Sequence, residues 1–275
     1  MKSVKLTVVI DDYSDRKDAP AEHGLCMHLQ SGNQVILFDT GRSDLVVSNL
    51  KALALDRTPP QWIALSHGHY DHTTGAHALL ALFPETKLCY HPVLTEPKWV
   101  LDPGEQWRYG GVPESFHEIS LDRRHFSNQS FELIPGIWTS GSVAGDLARS
   151  YVRKRFFRNS TGHTVVDAFP DEQVLFVITE KGLSIISGCM HTGLEATLHK
   201  AKERFPESHF YALIGGLHLE GVSEERSAEI LGILRENEFQ KIMPLHCTGQ
   251  RFVEYLSTHA PELLERGAVG AVIEI

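Results

Sequence analysis

The stretch that most constrains the fold of this chain is residues 66–72, Ser-His-Gly-His-Tyr-Asp-His, which follow the short apolar run 62–65. The run is bounded by prolines and by Gly68, so it predicts a buried strand that ends in a loop. Apolar residues then recur at helical spacing from Thr73 until Pro84, which predicts a helix. Three imidazoles and one carboxylate thus lie at a strand-to-helix junction, where Gly68 allows the backbone to bend. Because imidazole and carboxylate are the usual ligands of zinc and related ions, we predict a metal site here.

Three further histidines occupy similar positions later in the chain. His191, His218 and His246 each follow an apolar strand pattern by a few residues and lie near glycine. Strand patterns come in runs at both ends of the chain, with strand-loop-helix units after each run. This order suits two sheets packed face to face with helices outside, and the recurring strand-end histidines predict the second half of a metal site.

The pattern H-x-H-x-D-H after an apolar strand resembles the signature of the metallo-β-lactamase superfamily. The resemblance implies an α/β (α+β) chain folded as a four-layer αββα sandwich. No linker-like tract interrupts the 275 residues, so we expect a single domain over 1–275. Two metal positions are implied, the first held by two motif histidines and His191, the second by the motif aspartate, its last histidine and His246. The implied ligands are His67, His69, Asp71, His72, His191 and His246.

Other motifs resemble one branch of that superfamily, whose members are commonly named for the synthesis of a dihydropterin-ribofuranosylaminobenzene phosphate. They are A-E-H-G-L, L-F-D-T-G, G-C-x-H-x-G, G-G-L-H-L and P-L-H-C-T-G. By this resemblance Asp39 lies beneath the metal loop and orients ligands, although a turn-capping role is an alternative. His218 is expected to contact substrate or donate a proton, and a structural role is its alternative. Glu22 and His23 are expected to approach the same rim.

One position departs from the superfamily pattern. Most two-metal members carry a bridging aspartate at the end of a late strand, whereas this strand ends in Ser187-Gly188-Cys189. Either His191 or Cys189 takes the place of the aspartate, or the second metal binds more weakly. His163 is a rival for a missing upstream histidine. We expect one or two zinc ions per chain, with manganese or iron as alternatives.

Two segments are candidates for the substrate pocket. Residues from about 95 to 130 carry many glycines, prolines and aromatics and predict an irregular loop that walls the pocket, or else a poorly ordered insertion. Residues 149–158 interleave basic and aromatic side chains, which suits a phosphate-bearing substrate or a solvated amphipathic segment.

Composition excludes several other functions. The net charge of −9 gives no basic footprint for nucleic acid, and the sequence lacks an uncharged run long enough to span a bilayer. The four cysteines lack C-x-x-C spacing and are expected to be reduced thiols, and the N-terminus lacks a secretory apolar core. We therefore expect a cytoplasmic protein that acts on a small molecule.

These observations lead to a hypothesis of metal-assisted hydrolysis. A metal-bound hydroxide would attack the substrate, Asp71 would bind a metal and steer the hydroxide, and His218 would protonate the leaving group. A phosphodiester or a phosphorylated pterin-like molecule fits the branch, and a lactone or thioester fits the same chemistry. The alternative from another class is a metal-binding sensor on the same fold without efficient turnover, since the missing aspartate favours weaker catalysis.

Overall fold

The computed structural model describes residues 3–143, 154–160 and 163–275. The strands of these residues are, in chain order, β1 (Lys5–Ile10), β2 (Cys26–Ser31), β3 (Gln34–Phe38), β4 (Trp62–Ala64), β5 (Lys87–Tyr90), β6 (Lys98–Asp102), β7 (Gln106–Tyr109), β8 (Arg124–Phe126), β9 (Phe131–Ile134), β10 (Ile137–Thr139), β11 (Phe156–Ser160), β12 (His163–Val166), β13 (Leu175–Thr179), β14 (Gly182–Ser187), β15 (Phe210–Gly215), β16 (Lys241–Pro244) and β17 (Val272–Glu274). The helices are α1 (Leu45–Ala52), α2 (Tyr70–Thr73), α3 (Ala76–Leu82), α4 (Leu194–Arg204), α5 (Glu224–Glu236) and α6 (Gln250–His259).

The strands form two large sheets and one small sheet. The first sheet has the order β17-β1-β2-β3-β4-β5-β8, and the second has the order β16-β15-β14-β13-β10-β9. The small sheet joins β12-β11-β6-β7. Each large sheet is antiparallel on one side and parallel on the other, since β3, β4 and β5 run parallel in the first sheet and β14, β15 and β16 run parallel in the second.

Side-chain alternation along the strands builds a layered core. On β13, Leu175 and Val177 point into the apolar layer between the two large sheets, while Phe176 points into the layer beneath α4, α5 and α6. A third apolar cluster lies between the first sheet and helices α1 and α3 and contains Leu37 and Ile63. This arrangement of helices, sheet, sheet and helices confirms the predicted αββα sandwich.

The parallel strands place their carboxyl ends at a common rim. The loop after β4 begins at Leu65, and the loop before β13 meets it there. Gln173 joins the two loops, because its amide nitrogen Nε2 donates to the carbonyl of Leu65 over 2.9 Å and its backbone N–H donates to the carbonyl of Ser66 over 2.9 Å. The strand-end loops of both sheets are therefore held against each other.

Residues 95–130 differ from the irregular loop that the sequence predicts. They contain the antiparallel hairpin β6–β7, which turns at Pro103-Gly104 and pairs with β11, followed by two short 3₁₀ turns and β8. The hairpin escaped prediction because all four residues of β7 are exposed and thus lack apolar alternation. The helix expected from Thr73 begins at Ala76, as α3, and a separate short helix, α2, precedes it and contains Asp71 and His72. No helix of the described residues is long and apolar enough to cross a membrane.

A buried histidine far from the rim predicts a pH effect on stability. His28 of β2 lies opposite Leu37 on the helix-facing side of the first sheet, and burial, assisted by the charge of Lys5, lowers the pKa of this histidine to about 4. The unfolded chain binds a proton near pH 6.5. As the pH falls from 7 to 5, the unfolded state gains this proton and the folded state does not, so stability falls.

We expect His28→Gln to reduce the loss of unfolding free energy between pH 7 and pH 5 by about 2 kcal/mol, measured by urea titration at both pH values. His199→Gln is the matched control, because His199 is exposed on α4. An acid-induced loss in His28→Gln equal to that of the wild type would contradict the burial argument.

Candidate metal centre

The loop after β4 presents two imidazoles on one side. Nε2 of His67 lies 3.0 Å from Nδ1 of His69, and Nδ1 of His67 lies 2.9 Å from Oγ of Ser66. The Ser66 hydroxyl donates its hydrogen to Asp39, over 2.8 Å, so it accepts from Nδ1–H of His67. The lone pair of His67 is therefore on Nε2, on the side that faces His69.

Gly68 between these histidines is required for space. A Cβ at this position would lie 2.1 Å from the carbonyl oxygen of Leu94 and 2.9 Å from Cε of Lys98. The backbone N–H of Gly68 donates to Oδ2 of Asp171 over 2.8 Å. The glycine thus lets the loop pass directly over β6, which is a different reason from the sharp bend that the sequence suggests.

The aspartate and last histidine of the motif meet His246 from the other sheet. Oδ2 of Asp71 lies 3.4 Å from Nε2 of His246 and 3.9 Å from Nε2 of His72. His246 follows β16 in a left-handed backbone conformation, with φ +47°, and its N–H donates to Asp11 over 2.8 Å. These three side chains form a second group of potential ligands beside His67 and His69.

Asp39 lies at the end of β3 and contacts the metal loop at three points. Its Oδ1 accepts the backbone N–H of Ser66 over 2.7 Å, and its Oδ2 lies 2.8 Å from the Ser66 hydroxyl and 2.7 Å from Nδ1 of His72. The bond from Nδ1–H leaves the lone pair of His72 on Nε2, toward Asp71. The structure brings Asp39 to the position beneath the loop that the resemblance implies, also in a left-handed conformation, with φ +61°.

His191 lies on the loop after β14 and has an unsatisfied ring nitrogen. Its ring stacks on Phe169, with centroids 3.9 Å apart and planes 7° apart, and its backbone N–H donates to Glu172 over 2.6 Å. Nε2 of His191 is buried and has no hydrogen-bond partner among the described residues. A bound cation would satisfy this nitrogen, so the donor set fits a metal.

Cys189 occupies the middle of the centre. Its Sγ lies 3.1 Å from Nε2 of His72. The sulfur also belongs to three sets of three ligand atoms in which all atoms lie within 4.8 Å of one another, two of them with histidines of the ligand groups. One set is completed by His67 and His191, and the other by His72 and His246. The thiol therefore lies between the two groups of ligands, at the position for which the sequence offers no aspartate.

Of the two residues expected at this rim, His23 contacts a ligand of the centre, whereas Glu22 contacts a neighbouring loop. Nε2 of His23 lies 3.2 Å from Oδ2 of Asp71, and its Nδ1 lies 3.0 Å from Oδ2 of Asp12. Glu22 instead accepts hydrogen bonds from the backbone N–H of Arg42 and the hydroxyl of Ser43, at 3.0 and 2.5 Å. Its carboxylate thus fixes the loop after β3, and neither of these two hydrogen bonds involves an imidazole.

Asp12 is a residue of the centre that sequence reasoning missed. Its Oδ1 lies 2.7 Å from Nδ1 of His246, which leaves the lone pair of His246 on Nε2, toward Asp71. The acidic turn at the end of β1 was the available signal. Burial opposes ionisation of Asp12, but hydrogen bonds to His23 and His246 hold its pKa well below the usual range.

Electrostatics favour neutral imidazoles in the first group of ligands and a protonated imidazole at His246. Burial, with the positive charge of neighbouring histidines, lowers the pKa of His67 and of His191 well below the usual value. Burial also lowers the pKa of His69. For Asp71 burial raises the pKa, but His72, His23 and His246 together bring it well below normal. Neutral imidazole and ionised carboxylate are the forms that bind a cation. Burial opposes protonation of His246, but hydrogen bonds to Asp12 and Asp71 raise its pKa well above the usual value, so this side chain releases a proton when it binds a cation.

A cavity of about 150 Å³ opens onto these groups. His218, half-buried after β15 with φ +50°, lines it, and its ring centroid lies 4.2 Å from that of His191. Arg108 of β7 and Arg155 beside β11 line the mouth, and both contact Asp102, at 3.0 and 2.7 Å. A cavity of about 440 Å³ lies behind His246, but that is the single imidazole in its lining, so the smaller cavity is the candidate site.

The described part of the basic segment 149–158 contributes Arg155 and Phe156 to that cavity. Arg155 faces the cavity, whereas Arg158 pairs with Glu96 and lies 3.8 Å from Asp167. Residues 149–153 lie outside the described part of the chain, and so does the side chain of His163.

Buried charges before β13 hold the loops of the centre in place. Nζ of Lys98 lies 2.9 Å from Asp167 and 3.0 Å from Asp171, and all three side chains are almost fully buried. Glu172 accepts the backbone N–H groups of His191 and Thr192, both over 2.6 Å. Sequence reasoning missed this cluster, for which the only signal was an acidic pair directly before an apolar strand.

We expect Lys98→Met to lower the free energy of unfolding by about 3–5 kcal/mol, because two buried carboxylates lose their counter-ion. Urea denaturation measures the change, with Lys87→Met, an exposed position on β5, as the matched control. Equal unfolding midpoints for both variants would show that the buried ion pair is not required.

We expect Asp39→Asn to weaken zinc binding by about 10–100-fold while the fold is kept, because asparagine tolerates the left-handed backbone but does not orient His72 as a carboxylate does. Chelator competition measures the affinity, and circular dichroism checks the fold. Asp122→Asn, at an exposed position, is the matched control. Unchanged zinc affinity in Asp39→Asn would contradict an orienting role.

Two proteins of known sequence are similar to this chain over nearly its whole length. A protein of Methanocaldococcus jannaschii, the 7,8-dihydropterin-6-methyl-4-(β-D-ribofuranosyl)-aminobenzene-5′-phosphate synthase, is 27% identical over 99% of this chain and 97% of its own length. An uncharacterized protein of the same organism is 28% identical over 92% of this chain and 93% of its own.

Solved structures are also similar to this chain. The crystal structure of Tm1679, described as a metal-dependent hydrolase of the β-lactamase superfamily, has a TM-score of 0.84 and 28% identity and covers 99% of both chains. Zinc-bound PqqB from Methylobacterium extorquens has a TM-score of 0.60 at 12% identity, covers 98% of this chain and 100% of that chain, and shares the fold. Residues 19–178 match the metallo-β-lactamase superfamily, and this chain belongs to that superfamily.

Proposed function

We propose that this protein is a metal-dependent hydrolase that acts on a phosphorylated small molecule, with a phosphodiester or a phosphorylated pterin-like compound as the substrate class. The observation that carries the proposal is the convergence of buried imidazoles, Asp71 and Cys189 at the base of a cavity whose mouth holds two guanidinium groups. The imidazoles, Asp71 and Cys189 suit a cation, and the guanidinium groups suit an anion. One cavity would therefore accommodate both the metal and a phosphate group.

Two groups of ligands support two metal positions. His67, His69 and His191 would hold the first ion, and Asp71, His72 and His246 would hold the second, with Cys189 between them. The predominance of imidazole favours zinc, and manganese or iron remains compatible with the carboxylate. When bound, the metal supplies Lewis acidity that activates water and stabilises charge on the reacting oxygens.

The residues around the metal positions would divide the remaining tasks. Asp71 is fixed by His23 and His246, so its carboxylate would hold a metal and accept a hydrogen bond from the attacking water. His218 lines the same cavity and would donate a proton to the leaving group. Phe156, whose ring lies 5.4 Å from that of His69 and 5.6 Å from that of His218, would exclude bulk water from this side.

The arginines at the mouth support a phosphorylated substrate over a neutral lactone or thioester. Within residues 3–143, 154–160 and 163–275, Arg108 and Arg155 both pair with Asp102, so these two guanidinium groups carry more positive charge than that carboxylate neutralises. Each is also held near an aromatic ring, Arg108 over Tyr70 and Arg155 over Phe156, at 5.7 and 5.6 Å. An anionic group that enters the cavity would meet donors already in position.

The relatives support the same reaction class. The Methanocaldococcus jannaschii relative is named for a product with a 5′-phosphate, and Tm1679 is described as a metal-dependent hydrolase. The similarity to each of them extends over 99% of this chain.

We expect His69→Ala to lower turnover by at least about 100-fold, because it removes a ligand of the first metal position. The measurement is hydrolysis of generic phosphodiesters, phosphomonoesters, lactones and thioesters by protein whose metal content is determined by elemental mass spectrometry. His77→Ala, at an exposed position on α3, is the matched control. Full turnover by His69→Ala would overturn the assignment of the metal centre. A wild type that binds metal but hydrolyses none of these substrates would favour the sensor alternative.

We expect Arg155→Gln to raise KM for phosphorylated substrates by about 10-fold or more and to leave KM for neutral esters unchanged, because the guanidinium group acts on the charge of the substrate. Steady-state kinetics with both substrate classes measure this, and Arg251→Gln, at an exposed position on α6, is the control. A parallel rise in KM for both classes would contradict a phosphate-binding role.

A further inference from the structure

Two thiols and one imidazole form a separate corner of the cavity. Cys189, His218 and Cys247, here called the thiol corner, place their ligand atoms within 4.8 Å of one another. Sγ of Cys247 lies 3.6 Å from the carbonyl oxygen of Cys189 and hydrogen-bonds with Cys189 and His218. Of these three residues, only Cys189 belongs to the two ligand sets of the histidine centre.

The sheet topology brings the thiol corner together. Its members follow β14, β15 and β16, which are parallel neighbours in the second sheet, so their loops lie side by side. Gly216 leaves room for the sulfur, because a Cβ there would lie 2.7 Å from Sγ of Cys247 and 2.2 Å from the carbonyl oxygen of Gly188. The close approach of the two thiols is therefore built into the backbone.

We propose that the thiol corner is a binding site for a thiophilic cation, such as Zn²⁺, Cd²⁺ or Cu⁺, at an ion position separate from those of the histidine centre, with which it shares Cys189. Two thiolates and one imidazole form a soft ligand set that suits these ions. Zinc–sulfur and zinc–nitrogen bonds are about 2.3 and 2.1 Å, so atoms already within 4.8 Å of one another reach a shared ion through small side-chain movements. Both sulfurs bind as thiolates, so binding releases any proton that they carry, and the two thiolates neutralise a divalent ion.

Occupation of the thiol corner opposes hydrolysis. Cys189 is shared with both ligand sets of the histidine centre, and His218 lines the cavity in which a leaving group would be protonated. A cation held by these two residues withdraws the sulfur from the histidine centre and removes the proton donor. This consequence rests on the proposed hydrolase function, under which the thiol corner would be an inhibitory site for soft cations.

The test is a titration of reduced, zinc-loaded protein with Cd²⁺, followed by sulfur-to-cadmium charge-transfer absorption in the ultraviolet. We expect wild type to bind one cadmium at the thiol corner, and Cys247→Ser to weaken this binding by about 10-fold or more and to lose about half of the absorption per bound ion, because one of two thiolates is removed. His218→Gln should weaken binding but retain the absorption per ion. Cys89→Ser, at a buried position on β5, is the matched control.

The readout depends on binding and not on turnover, so it separates this proposal from the proposed hydrolase function. His69→Ala disrupts the histidine centre and leaves all three members of the thiol corner, so it should keep the cadmium signal even if no substrate is ever hydrolysed. Circular dichroism of each variant checks folding. Absence of charge-transfer absorption in reduced wild type, or equal cadmium affinity in wild type, Cys247→Ser and His218→Gln, would overturn the proposal.

Discussion

The rest of the site depends on hydrogen bonds that buried carboxylates accept from the loops of the centre. Asp39 accepts the N–H of Ser66 and fixes the ring of His72, Asp171 accepts the N–H of Gly68, and Glu172 accepts the N–H groups of His191 and Thr192. Burying a carboxylate is unfavourable unless its oxygens are satisfied. Here backbone N–H groups of the strand-end loops donate to these oxygens. The buried carboxylates and the buried N–H groups thus satisfy each other, and the loops that carry the ligands are fixed as a result.

The backbone conformation of these loops supports a functional interpretation. Asp39, Met190, His218 and His246 all have positive φ, between +47° and +61°. Such conformations cost about 1–3 kcal/mol each for residues with a Cβ and persist where the surrounding structure requires them. All four lie in loops at the carboxyl ends of strands of the two sheets, in or beside the metal centre. With Phe169, which stacks on His191, five of the eight described non-glycine residues with positive φ therefore lie in or beside the centre.

Local features of the sequence were sufficient for the fold and for most of the centre. The residues of β5 and the cap at Ser223 of α5 follow from apolar spacing and residue type, and the imidazoles follow from their recurrence after strands. Asp12 and Asp171 were not predictable in this way, because they contact the site across 234 and 103 residues of sequence. Lys98 escaped notice for another reason, since lysine is rarely buried and its burial depends on carboxylates that only the fold brings near.

The small sheet carries different residues of the cavity from those that the two large sheets carry. Every side chain of the ligand groups follows the carboxyl end of a strand of the two large sheets, while Arg108 lies on β7 and Arg155 directly before β11 of the small sheet. The guanidinium groups that line the cavity and the ligand groups at its base therefore lie in different parts of the chain. Descendants of one ancestor could acquire new substrates by altering the small sheet alone, provided that Lys98, through which β6 supports the metal loop, stays in place.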